Sequence, residues 1–457
     1  MKKFFTNFRL PAVAILLSAS LSVNAQSSSD TAFKPQGTLW GYTFGDFAYK
    51  GNADNLNRGG SNQYTGMPIN ANTFQFRRVY LGYNYTISPH FSAELLLAAE
   101  DDFNTGSITQ GTAGTSVGDV TAGGRFTPYL KYANVRWKEL FKYSDLVIGQ
   151  QATPGFAKTG RNDQTSEEVW GYRSIERTVS DIRRTPSYDL GASLQGWFDK
   201  DGKYGYMAMV GNGTGGAKPP TNSFRSFYGD LYAKFLDKRL IVDLYSDYTR
   251  LEWGQWVPGV AANTLSPNGL QYTAREMTKG FIAWNTNKLT VGLEAFENVF
   301  LGGLKVTGTD KNTYYRTFSA TDVSFYVRGR ILSAANGNPL LNFFVRYDNY
   351  NPSSGLSNAT TNATAITTAS GVSNYDPFTK EQFFTAGIDF LPNKNIHFMP
   401  NIWVNAYNSS LSATGVNPEG YAYTKYSSEV TANKGTDVVY RLTFYYIFNP
   451  KQGTTKY

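Results

Sequence analysis

The chain has 457 residues, 44 of them glycine, with 16% aromatic and 17% charged side chains and no cysteine. Soluble proteins usually carry about a quarter charged residues, so the composition argues against a string of soluble domains, and the missing cysteine excludes disulfide frameworks and thiolate metal sites. The formal charge of +8 falls to +5 once Lys2, Lys3 and Arg9 are set aside, which is compatible with an anion-preferring pore but too small a bias for a nucleic-acid binder.

In chain order, Lys2, Lys3 and Arg9 form a basic start, followed by the short apolar run Leu10–Val23. Val23-Asn24-Ala25 then places small residues at −3 and −1 of a cleavage site, so residues 1–25 read as a signal peptide and Gln26 as the first mature residue. The run is shorter than the roughly 20 residues a spanning helix needs. Residues 26–37 read as a short periplasmic segment, 38–448 as one transmembrane barrel, and 449–457 as a C-terminal tail.

From Thr38 onward the chain repeats one unit, about ten residues alternating apolar and polar, then a break. Strands are expected near 39–50, 73–87, 90–103, 125–138, 145–156, 188–198, 203–212, 225–236, 238–250, 269–284, 288–299, 321–332, 340–350, 378–390, 395–408 and 437–448. Short breaks at Ser88-Pro89, Glu139–Ser144, Asp199–Gly202, Asp237-Lys238, Asn285–Asn287, Ala334–Pro339 and Leu391–Asn395 alternate with long polar connections near 51–71, 104–124, 157–187, 213–224, 251–268, 300–320, 351–377 and 409–436. In 321–332, Val323, Phe325, Val327 and Ile331 alternate with Ser324, Tyr326, Arg328 and Arg330; in the last unit Val438, Tyr440, Leu442, Phe444, Tyr446 and Phe448 share one face. Period two is the strand signature, and a strand with arginine on one face and none on the other lies between water and lipid. The expected fold is all-β, a transmembrane antiparallel barrel of about sixteen strands, with short periplasmic turns and long extracellular loops. A secreted β-sandwich or propeller would not alternate long and short connections. Sixteen strands is also the width at which a barrel encloses an aqueous lumen.

The segment Gly149 to Gly196 carries a more specific pattern. Gly149-Gln150-Gln151-Ala152-Thr153-Pro154 closes a strand, Ser174-Ile175-Glu176-Arg177-Thr178 lies in the following loop, and Leu190-Gly191-Ala192-Ser193-Leu194-Gln195-Gly196 opens the next strand. These residues resemble the phosphate-selective porin O and P family over about a tenth of the chain. The resemblance implies an outer-membrane porin, a homotrimer, with the third loop folded into the pore. Residues 157–189 hold six basic and six acidic side chains, a balance that points away from a one-sign filter.

Thr165-Ser166-Glu167-Glu168 has the form of a capping box, so a short helix is expected from there to about Thr178. That loop would carry Glu168, Arg173, Glu176, Arg177, Arg183 and Arg184 as the charges of the pore constriction. Strand alternation turns Arg78, Arg136, Arg328, Arg330, Arg346 and Arg441 to the lumen wall, together with Glu94, Glu100, Asp243, Asp247, Glu294, Asp348 and Asp389, so the lumen is mixed in sign. Charged rings at a narrow point set ion selectivity, or the pairs simply stiffen loop and wall.

Other motifs read more plainly. Gly211-Asn212-Gly213-Thr214-Gly215-Gly216 has dinucleotide-loop spacing, but Ala217-Lys218-Pro219-Pro220 cannot open the helix such a motif requires. His90 and His397 are the only histidines and both follow short turns, a poor arrangement for catalysis or zinc. Glu100-Asp101-Asp102-x-Asn104 offers hard oxygen ligands of the kind calcium takes, and reads more simply as a solvated acidic edge. The Ser/Thr/Asn/Ala tract Ser353–Asn374 reads as a surface loop too low in complexity to pack. The expected function is passive diffusion of small hydrophilic solutes and ions across a Gram-negative outer membrane, with neither enzymatic activity nor cofactor and with outer-membrane lipid as surroundings. The alternatives are a phosphate or anion-selective porin, and a scaffold or adhesion barrel.

Overall fold

A computed structural model describes residues 33–54, 67–100, 128–155, 165–170, 187–213, 225–252, 272–308, 313–354, 363–368, 379–409 and 434–448. The expected signal peptide and C-terminal tail lie outside these residues. The elements are β1 (Gln36–Asn52), β2 (Asn72–Thr86), β3 (Phe91–Glu100), β4 (Tyr129–Phe141), β5 (Ser144–Ala152), α1 (Ser166–Trp170), β6 (Tyr188–Trp197), β7 (Tyr204–Gly211), β8 (Ser226–Phe235), β9 (Leu240–Glu252), β10 (Tyr272–Asn285), β11 (Leu289–Gly308), β12 (Thr313–Ser333), β13 (Pro339–Ser354), β14 (Ala363–Thr368), β15 (Thr379–Asn393), β16 (Ile396–Ser409) and β17 (Lys434–Phe448).

Sixteen of these strands form a closed antiparallel barrel. Each pairs with its neighbour in sequence, except that β13 passes over β14 to pair with β15, and β1 closes the ring by pairing with both β2 and β17. Closure is what removes the exposed edges that an open sheet would leave in lipid. The described short connections, such as Leu236–Arg239 and Thr286–Lys288, fall at one end, where the sequence places them.

The polarity of the wall is inverted relative to a soluble protein. Phe74, Leu81, Tyr83, Leu95, Phe227, Leu231, Leu244, Phe325, Phe398 and Tyr446 are exposed, with Phe74 at 77%. Asp46, Asp243, Glu294, Arg346 and Lys279 are buried, with Asp46 at 0%. Exposed apolar residues and buried charged ones alternate along the same strands, as in β12, where Val323 and Phe325 are exposed while Asp322 and Ser324 are buried.

At the closing seam, β17 lays Phe444 and Phe448 over glycines of β1. A Cβ at Gly45 would stand 2.1 Å from Phe444 Cζ, and one at Gly41 would stand 2.3 Å from Phe448 Cζ. The two rings fill the space that missing side chains leave, which supplies apolar contact at a joint where glycine alone would supply none.

Two bulges alter which residues face inward. Phe44 pairs with Arg78 and the adjacent Gly45 with Phe76, leaving Arg77 as the extra residue; Leu96 pairs with Tyr132 and the adjacent Leu97 with Leu130, leaving Lys131 extra. Both Arg77 and Arg78 are buried as a result, and so is Lys131. A bulge lets two consecutive residues share a face that strict alternation would split.

Two long connections need correction. The expected loop 300–320 is largely strand: β11 and β12 continue as a hairpin to Gly308 and from Thr313, with a register shift between Phe300 and Leu304. The glycines Gly302 and Gly303 read as a turn in sequence but here make an irregularity that the ladder survives, with Gly302 at φ 66°. The tract Ser353–Asn374, expected to remain unpaired, contributes β14, which pairs with the β11 extension from Leu304 to Gly308. Its Ala-Thr-Ala-Ile-Thr-Thr sequence has β-branched residues suited to a strand, and the extended β11 gives them an edge to join.

Candidate pore constriction

The third long connection enters the barrel. Thr153, Pro154 and Gly155 are buried at the end of β5. Gly155 sits where a Cβ would meet Tyr245 Cδ2 at 2.7 Å, and its φ of 82° suits glycine. The Gly155 carbonyl accepts from Lys279 Nζ at 2.5 Å, and Lys279 lies 3.7 Å from the Glu294 carboxylate and 5.6 Å from the Tyr245 ring. Further along, Ser166 donates to the same Glu294. The loop is thus tied to the inner faces of β9, β10 and β11 by buried polar groups.

α1 then buries an apolar anchor. Thr165 stands at its N-terminus, with the Thr165 carbonyl accepting from the Val169 amide at 2.9 Å. Trp170 is fully buried and packs with Phe44, Ile241, Phe281, Tyr326, Phe344, Met399 and Tyr445, side chains drawn from seven strands. Its ring meets Phe281 edge-on at 5.5 Å and Tyr326 at 5.2 Å. Gly292 makes the space: a Cβ there would lie 2.3 Å from Trp170 Nε1. A five-residue helix has no stability of its own, so these tertiary contacts hold it.

The expected helix to about Thr178 is described only as far as Trp170. Glu168 belongs to α1, but its side chain lies outside the described residues, as do Arg173, Glu176, Arg177, Arg183 and Arg184.

The six wall arginines are all described, and their partners differ. Arg346 is buried and clasps Asp348, with Nη2 2.5 Å from Oδ2 and Nε 2.9 Å from Oδ1. Arg136 donates to Asp145 at 3.1 Å and to Gln195 at 3.2 Å. Arg441 lies 4.1 Å above the Trp403 ring, and Arg77 is 5.0 Å from the same ring. Asp46 answers both cations, 3.0 Å from Arg77 and 3.8 Å from Arg441, and accepts from Thr443. Arg78 is buried 5.7 Å from the Tyr80 ring. Arg328 and Arg330 are half-buried, and Arg330 donates to the Gly337 carbonyl near a short turn.

Of the inner carboxylates, Asp243, Asp247, Glu294, Asp348 and Asp389 are buried and Glu94 is half-buried; the Glu100 side chain lies outside the described residues. Sequence alternation did not assign Arg77, Lys131 or the shared Asp46 to the lumen. The signal for Arg77 was its neighbour: an Arg-Arg pair in a spanning strand would send one guanidinium to lipid at a cost of about 2–4 kcal/mol near the midplane, so the pair itself demands a bulge.

The remaining motifs separate from this site. His90 is exposed in a turn, and His397 is buried as the second residue of β16, just after the short turn from β15, with Nδ1 2.8 Å from Asp389. Gly213 donates its amide to Asp189 at 2.7 Å, and residues 214–224 lie outside the described set, as do Asp101, Asp102 and Asn104. No group of three or more candidate metal ligands occurs among the described residues.

No protein-family model and no curated protein matches the chain. Among solved structures, the Acinetobacter baumannii outer-membrane channel DcaP is similar at 10% identity and a TM-score of 0.51, over 91% of this chain and 97% of that one. Pseudomonas putida OprB at high pH matches at 10% identity and 0.48, over 91% and 94%. Vibrio cholerae OmpT matches at 8% and 0.45, over 91% and 99%. With closure, polarity and the DcaP likeness together, this chain has the fold of an outer-membrane barrel of the porin type.

Proposed function

We propose that this protein is an outer-membrane porin, a passive channel for small hydrophilic solutes and ions, made with a cleaved signal peptide (1–25) and assembled as a homotrimer. The observation that carries the reading is a closed sixteen-strand wall with apolar residues outside, charged residues inside, and one loop anchored within it. A barrel of this width encloses a lumen, and charges lining a narrow, low-dielectric passage act on ions at short range. The turn end of the barrel faces the periplasm and the long-loop end the exterior.

Selectivity in this reading belongs to Glu168, Arg173, Glu176, Arg177, Arg183 and Arg184 on the third loop, facing the wall arginines Arg78, Arg136, Arg328, Arg330, Arg346 and Arg441. The mixed signs of wall and loop support weak anion preference over a phosphate filter of the kind the resembled family implies. Reconstitution in planar bilayers under a salt gradient tests this. Ohmic conductance in steps of three is expected, with a reversal potential close to zero, moving toward cations when Arg173 and Arg177 are changed to Glu. Saturable block of chloride current by sub-millimolar phosphate would replace this reading with a phosphate-selective one. A folded protein without conductance would leave the scaffold reading.

A further inference from the structure

The inner wall of β1 to β6 also carries a connected path of aromatic rings. Trp40 and Tyr42 stack at 6.4 Å, Tyr42 meets Tyr80 at 4.6 Å, and Tyr129 stacks with Tyr188 at 5.8 Å. The Lys131 side chain bridges the two groups, 4.9 Å from the Tyr80 ring and 5.6 Å from the Tyr188 ring, and donates to the Tyr80 hydroxyl at 2.5 Å. Tyr129 and Tyr188 open β4 and β6 at the long-loop end, while Trp40 lies toward the turn end of β1. The path crosses the wall from β1 toward β6 close to one register level, with Trp40 opposite Gly82, Gly82 opposite Leu96 and Leu96 opposite Tyr132. Tyr42 packs both on the Trp170 cluster and on the Trp40–Tyr80 cluster, which puts the path alongside the anchored loop.

Most of these rings are not closed core. Tyr42, Tyr129 and Tyr188 each keep part of their surface exposed, as does Tyr132, which packs against the Trp40–Tyr80 cluster. Beside them runs a row of partly exposed polar groups in lateral register, Asn84 opposite Glu94 and Glu94 opposite Asn134. The Asn84 side-chain carbonyl has no hydrogen-bond donor among the described residues.

We infer that this wall is a binding track for oligosaccharides in transit. A pyranose ring has an apolar C–H face that lies on an aromatic ring and hydroxyl edges that need amide, carboxylate and phenol partners. The wall offers both kinds of surface in parallel rows. A fixed anion site would need cations free of aromatic and phenolic partners, and Lys131 is committed to Tyr80 and Tyr188. The proposal rests on the channel reading and adds a substrate class to it.

The test uses the full-length protein with maltohexaose, xylohexaose and chitohexaose as probes. Titration calorimetry in detergent and blockage of ion current in bilayers are read in parallel. Saturable binding and block by at least one hexaose are expected. Tyr132→Ala and Tyr188→Ala, each checked for folding by heat-modifiable mobility, should weaken it about tenfold or more, as loss of one stacking platform does. Tyr132→Phe should retain most of it, and the outward-facing Tyr347→Ala should match the parent. Heat of binding without ion current would keep the track and refute the channel. Ion current with no hexaose binding or block would overturn the track, as would tighter binding of adenosine monophosphate than of every hexaose.

Discussion

Replacing Trp170 with alanine tests whether the anchored loop sets the width of the passage. Trp170 is fully buried and touches two rings at 5.5 and 5.2 Å. Truncating a buried tryptophan costs about 3–5 kcal/mol, the aromatic pairings included. None of the barrel's strand pairings passes through Trp170, so the loss falls on docking of the loop and not on the ladder. A change of that size shifts the docked-to-released ratio by about two to three and a half decades. The polar ties through Ser166, Glu294 and Lys279 remain but must then hold α1 without its apolar anchor. The parent should give one steady conductance level, and Trp170→Ala a larger mean current with flicker between levels. Gly292→Ala should act in the same direction from the opposite side, because its Cβ would press on a rigid indole at 2.3 Å; overpacking of this kind costs about 1–3 kcal/mol. The folded barrel's heat-modifiable mobility should stay as in the parent in both variants. If both give the parent's current and noise while folded, the loop does not limit the passage.

Asp46→Asn removes the shared carboxylate between Arg77 and Arg441, both of which face the Trp403 ring. Leaving a buried charge without its partner costs about 3–5 kcal/mol, so the unfolding midpoint should fall and the reversal potential should move toward anions; an unchanged midpoint and potential would remove this cluster from any part in stability or selectivity. In the turn between β6 and β7, slight burial raises the Asp199 pKa. That effect is outweighed by the amides of Tyr204, Lys203 and Asp201 and by the charge of Lys203, which together hold the carboxyl below its ordinary value. A depressed carboxyl contributes stability above its unfolded pKa, about 3.9, and loses it as pH falls through the folded value. Carboxyl NMR should therefore show Asp199 titrating below 3.9, with protection of the Lys203 and Tyr204 amides lost over that same interval; a midpoint at or above 3.9 would contradict the hydrogen bonding at 2.8 and 3.0 Å.

The strands were legible because lipid imposes a strict rule on every second residue. Val323, Phe325 and Val327 on one face and Ser324, Tyr326 and Arg328 on the other leave a single register for β12. The rule fails where the backbone slips. Lys131 sits at a bulge between Leu130 and Tyr132, and alternation alone cannot say which of three consecutive residues is the extra one. The partners of inward charges were also hidden, since Asp46 and Arg441 are far apart in sequence and meet only when β1 and β17 close. Trp170 looked like one aromatic in a polar loop; its pocket depends on Gly292, more than a hundred residues later, and no local pattern joins the two. The β11–β12 extension was missed for a chemical reason, because paired glycines carry the same signal whether they end a strand or bend it.

The aromatic-over-glycine joint between β1 and β17 has a consequence for assembly. Gly41 faces Phe448 across the ladder, so the last hydrogen bonds to form join residues at nearly opposite ends of the chain. Closing so long a loop carries a large entropic cost, and contacts of that sequence separation form late and slowly. Until β17 arrives, β1 offers an open edge whose outer face near Gly41 and Gly45 has no side chain to repel a stranger. Phe444 and Phe448 fill the groove only when the correct strand is seated in register, since a one-residue slip would turn both rings into the lumen. The seam thus works as a register check on the finished barrel, and a chain stalled before its final strand would be the species most open to pairing with another copy of itself.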